Sequence, residues 1–144
     1  MWSDTLLAAE RSHLIRLMIW AVTSATVGTT LVAIITLRRM VAPIVLWFAI
    51  QALVWGGAEL ILGIVCWETL AMRDVSSATR LDRLTWFNAG LDVGIVIAGI
   101  AIAGMAWTHG RRLNAIGAGL GVLVQGLALL VINLTFAANL ARLI

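Results

Sequence analysis

Two acids stand where acids are expensive. Glu59 is the only charged residue in the apolar window Ile44–Trp67, and Asp92 is the only one in Leu84–Trp107. A charge at the centre of a bilayer costs at least about 2.5–3.5 kcal/mol, so such groups face a bundle interior or a cavity. No arginine lies inside either window to neutralise them. Two facing carboxyls in low dielectric disfavour each other's ionised form. At least one is therefore expected to carry a proton at neutral pH, or the two to share one. The chemistry open to such a pair is the binding and release of a proton or a small cation.

Helical rise puts further polar groups near the same depth. Glu59 and Asp92 each lie about 12 Å from the end of their window that faces the same side of the membrane. Thr26 and Asn133 come out at a similar level, and Asn88 is expected on the Asp92 face, because residues i and i+4 superpose on a helix. Glu59, Asp92, Asn88, Asn133 and Thr26 thus form one expected polar layer. Gln51 and Gln125 form a second, roughly 10–13 Å deeper. The other reading of these residues, and the one preferred, is glue that fixes helix register, although hydrogen bonds between membrane helices average only about 0.6 kcal/mol.

Four helices must position these groups. About 20 apolar residues cross the hydrocarbon, and four windows qualify: Leu17–Leu37, Ile44–Trp67, Leu84–Trp107 and Ile116–Leu140. The expected fold is all-α, a four-helix transmembrane bundle in a single domain covering residues 1–144. Arg38 and Arg39 close the first window. Pro43 suits the first turn of the second helix. Thr79 and Asp82 resemble a capping pair for the third, and His109-Gly110-Arg111-Arg112 reads as a tight turn before the fourth. Asp4 and Glu10 interrupt the basic segment of a cleavable signal, so the first window reads as a retained span.

Trp20, Trp67 and Trp86 are expected near one membrane surface and Trp47 and Trp107 near the other, as an interfacial belt. Trp55 falls mid-span. The halves look alike. Gln51 and Glu59-Leu60 match Gln125 and Asn133-Leu134, the two Arg-Arg turns match, and Trp20 with Gly28 matches Trp86 with Gly94. This predicts two repeated helical hairpins in the same orientation. Gly90 with Gly94, and Gly117 with Gly121, are GxxxG pairs expected to pack helices closely.

Composition agrees with the membrane reading. Hydrophobic residues make up 62% and charged residues 12%, against about a quarter charged in soluble domains. All ten basic residues are arginine; they are spread along the chain, which argues against nucleic acid. The termini and middle loop carry six arginines and five acids, whereas the two short turns carry four arginines and no acid. A raw count of basic residues places the termini inside. Their density in the turns favours the opposite, with both Arg-Arg turns cytoplasmic and the termini outside, and that orientation is expected.

Other chemistries lack their residues. The single Cys66 rules out an intrachain disulfide. His13 and His109 fall on opposite sides of the membrane, so no metal site and no cofactor is expected. The segment Glu68–Arg83 reads as a solvated, partly helical connector without a catalytic constellation, and an enzyme is not expected.

The stretch Asn88-Ala89-Gly90-Leu91-Asp92-Val93-Gly94, followed by Gly121-Val122-Leu123-Val124-Gln125-Gly126, resembles a family of small bacterial four-span membrane proteins of unknown function, best over residues 84–134. The resemblance implies a multi-pass protein of the bacterial inner membrane and no particular activity. Small multidrug-resistance exporters differ, because their essential glutamate lies in the first helix and Leu17–Leu37 has no acid. The leading expectation is a non-enzymatic protein whose polar layer organises packing or assembly in the bilayer, with its own copies or partner membrane subunits. A proton- or cation-linked carrier or channel using Glu59 and Asp92 is the alternative. A pigment, quinone or lipid binder using Trp55 and the glycine grooves is a third.

Overall fold

In lipid a spanning segment must satisfy its own backbone hydrogen bonds, which for these apolar runs means a helix. The computed structural model describes residues 2–143, and these form four helices and no strand: α1 (Trp2–Leu37), α2 (Pro43–Glu68), α3 (Val75–Thr108) and α4 (Leu113–Leu140). All four are long and apolar enough to cross a membrane. The helices alternate in direction, so both termini and the α2–α3 loop share one face, the terminal face. The two Arg-Arg turns share the other, the turn face.

Two helices begin well before their apolar windows. α1 starts at Trp2, because residues 2–16 are amphipathic and bury Leu6, Glu10 and Leu14 at intervals of four. α3 starts at Val75, which shortens the expected connector to residues 69–74. Its cap is Asp74, whose carboxylate accepts from the Ser77 N–H at 2.9 Å; Thr79 and Asp82 lie inside the helix. Hydrogen bonds from Ser77, and then Ser76, hold the Asp74 carboxyl below its ordinary range. At about 1.5 Å per residue, α1 and α3, with 36 and 34 residues, are far longer than a bilayer core is thick. Their first turns meet the end of α4 in an apolar cluster of Leu6, Ala78, Phe136 and Leu140, flanked by Ala9, Leu81 and Leu143.

Glycine sets how closely the helices approach. A Cβ on Gly28 would lie 2.5 Å from the Leu53 nitrogen, and one on Gly56 2.6 Å from the Ala25 nitrogen, so α1 and α2 touch through their backbones. Gly99 does the same against Leu123 of α4, and Gly119 against Ala103 of α3. Gly117 meets the Ile44 carbonyl and Gly121 meets Gln51, joining α4 to α2. Gly90 and Gly94 meet nothing: that pair lies on the outer face of α3, and Gly99 makes the contact expected of it.

The resulting bundle holds two hairpins, α1–α2 and α3–α4, that are not packed equivalently. α4 touches all three other helices, and the backbone of α3 approaches α4 alone. The environments of matched residues differ as well: Gly28 is packed and Gly94 is open. Both turns hold an arginine in the left-handed region, Arg39 at φ 49° and Arg111 at φ 48°. This costs roughly 1–2 kcal/mol per residue. Arg111 lies over the Trp107 ring, 5.1 Å from its centroid.

Candidate functional site

α3 buries one narrow face. Ala78, Thr85, Asp92, Gly99 and Ala106 recur every seven residues, with Ala89 beside them. Seven residues return a helix to within about 20° of its starting direction, whereas four leave it about 40° away. Asp92 therefore points into α4 while Asn88 is turned aside and exposed. On α4 the Asn133 amide donates to the Asp92 carboxylate at 2.6 Å. Both are buried, 8% and 4% exposed.

Glu59 arrives from α2, 5% exposed, and neither of its carboxylate oxygens meets a hydrogen-bond partner. It lies within electrostatic range of Asp92. Both acids stand 16 residues from the turn-face ends of their helices, Pro43 and Thr108, and so at one depth. The structure thus brings together Glu59, Asp92 and Asn133, and leaves Asn88 at the margin. Thr26 is exposed on the outer side of α1, away from the layer.

The second polar layer is built differently from its expectation. Gln125 is fully buried, accepts from the Trp20 indole N–H at 2.8 Å and donates to Ser24. Ser24 in turn donates to the Ala52 carbonyl at 3.0 Å. Gln51, half-buried, takes no part and packs on Gly121. Trp20, expected at the membrane surface, is half-buried and bonded inside the bundle instead. Ser24 and Trp20 were missed because a serine and a tryptophan in an apolar helix read as packing and belt residues. Their spacing of four, which puts them on one face, is the signal that finds them.

Between the acid layer and the terminal face lies a cavity of about 280 Å³. Glu10, His13 and Arg73 line its outer part, and Asn88, Asn133 and Thr85 its inner part. Arg73 grips Glu10 with two bonds, Nε to Oε1 at 2.5 Å and Nη2 to Oε2 at 3.0 Å. Glu10 is buried and Arg73 part-exposed. His13 stacks on Phe136 with centroids 4.2 Å apart, and its Nδ1 is buried without a partner. Among the described residues no group of three or more His, Cys, Asp or Glu is placed to hold a metal ion.

The fold and the buried acid layer define a class: an all-helical chain with four helices able to cross a membrane and ionisable groups in its interior. The family model described as "Family of unknown function (DUF6992)" matches residues 16–134, and the chain belongs to that family. The chain matches no curated protein and no solved structure.

Proposed function

We propose that this is a multi-pass membrane protein that binds and releases protons at Glu59 and Asp92. One observation carries the reading: the Glu59 carboxyl is buried with no hydrogen-bond partner and within electrostatic reach of a second acid. Interhelical glue must bond to another helix, and Glu59 does not. An ionised carboxylate at such a site meets no donor, and burying a charge without one is costly. Asp92 differs in having a hydrogen-bond partner, the Asn133 amide. The two acids are thereby suited to unequal proton occupancy, with one proton exchanged between them or with water.

The second reading is a scaffold, and Gln125 favours it. Its bonds tie α1 to α4 with every end partnered, as a register lock would be. The two readings apply to different residues and separate in one experiment. Proton uptake by the purified, reconstituted protein is measured across the neutral range for wild type, Glu59→Gln and Asp92→Asn. The proposal expects about one proton per chain to titrate in wild type and to be lost in Glu59→Gln. Identical curves for wild type and Glu59→Gln would leave the scaffold as the function.

A further inference from the structure

We infer that the cavity on the terminal face is the aqueous inlet to the acid layer, and that the Glu10–Arg73 ion pair closes its outer mouth. The inference rests on the proton-binding reading for what passes through, but not for the presence of water.

Three observations place water there. First, a cavity of about 280 Å³ has room for several waters, each of which needs two to four polar partners. Its walls supply them at both levels: Glu10 and Arg73 outside, Thr85, Asn88 and Asn133 inside. Apolar side chains, among them Leu14, Leu70, Leu81, Leu84 and Phe136, complete the lining. Second, Asn133 belongs to the cavity wall and also donates to Asp92. One amide therefore separates the inner end of the cavity from the acid. Third, the cavity that opens at the turn face beside His109 and Arg112 includes neither acid. Toward the turn face, Gly99 lies against Leu123 and Gly117 against Ile44. The cavity beside Gln125 has an almost wholly apolar lining and includes neither acid. Access is therefore from the terminal face.

The ion pair is placed to control that access. Glu10 stands on α1 and Arg73 on the α2–α3 loop, so their two bonds tie the long helix across the mouth. Arg73 remains in contact with solvent, whereas Glu10 is shut in. Removing Arg73 strands the buried Glu10 charge, and removing Glu10 frees the loop.

Thiol chemistry tests this in the full chain, because Cys66 is the only cysteine and can be replaced. In a Cys66→Ala background, Asn88→Cys and Ile97→Cys are reconstituted into vesicles. A membrane-impermeant, negatively charged methanethiosulfonate is then added from one face at a time. Ile97 is an exposed apolar residue of α3 and serves as the lipid-side control. The inference expects Asn88→Cys to react at least about tenfold faster than Ile97→Cys, and from the terminal face alone; adding Glu10→Gln should raise the rate by a similar factor, as a local closing contact is lost. Equal rates at positions 88 and 97 would show a dry cavity and overturn the inlet. Equal labelling from both faces would overturn its sidedness, and a rate indifferent to Glu10→Gln would overturn the closure. Rapid one-sided labelling together with unchanged proton uptake in Glu59→Gln would keep the inlet and refute the proton-binding reading. A monodisperse elution profile and wild-type helicity for each variant exclude misfolding as the cause of any change.

Discussion

Gln125 on α4 and Glu59 on α2 are buried almost equally, 2% and 5% exposed. Gln125 has partners for both ends of its amide, supplied by Trp20 and Ser24 across the helix interface. Glu59 has none. A polar group buried for stability comes with its partners, since an unsatisfied one costs about 1–3 kcal/mol. The difference separates a residue that organises the bundle from one the bundle tolerates, and the tolerated one is the candidate for function.

The comparison can be broken at several strengths. The largest effect falls on α4, which carries Gln125 and Asn133. Gly117→Val drives a side chain into the Ile44 backbone and should cost about 3 kcal/mol, at the upper end for overpacking. Unfolding in mixed detergent micelles reads it, and Gly94→Val, which meets open space, is the matched control. Next, Gln125→Leu strands the Trp20 N–H and should destabilise by about 1–2 kcal/mol in the same assay.

Glu59→Leu should have the opposite sign, stabilising by about 1 kcal/mol, because it removes an unsatisfied group and leaves no partner behind. Destabilisation of that size by Glu59→Leu would show that Glu59 is structural after all. The smallest effect is local. The Asp74 cap contributes stability above the ordinary carboxyl value of 3.8 and loses it as pH falls through its depressed folded value. Amide exchange in the first turn of α3 should therefore accelerate severalfold only on acidification below that value, and in Asp74→Ala at every pH.

The helices were legible because their apolar windows are long and nearly free of charge. What the windows concealed was helix outside them: the first window begins at Leu17, although Leu6, Glu10 and Leu14 repeat with helical spacing before it. The cap at Asp74 was legible in principle from Ser77 three residues on, but Thr79 and Asp82 offered a competing pattern nearer the apolar run. Glu59, Asp92 and Asn133 could be named from the cost of burying them. Their partners could not, because partnering depends on which neighbour each helix face meets. Depth follows from counting residues, and direction follows from packing: Thr26 shares the expected level of the layer and points out of the bundle. The two halves match in sequence yet differ in structure for the same reason, since α4 is central and α2 is not.

The isolation of α3, whose backbone has only α4 to rest on, has a consequence during synthesis. The first hairpin can dock as soon as α2 has emerged, through Gly28 and Gly56. α3 then enters the membrane with no finished surface to receive it. The partner of Asp92 lies 41 residues further along the chain. At about 5–20 residues per second, a ribosome takes roughly 2–8 s to supply it. For those seconds Asp92 sits in the insertion machinery or in lipid without its amide, so the step most exposed to failed assembly is the wait for the last helix.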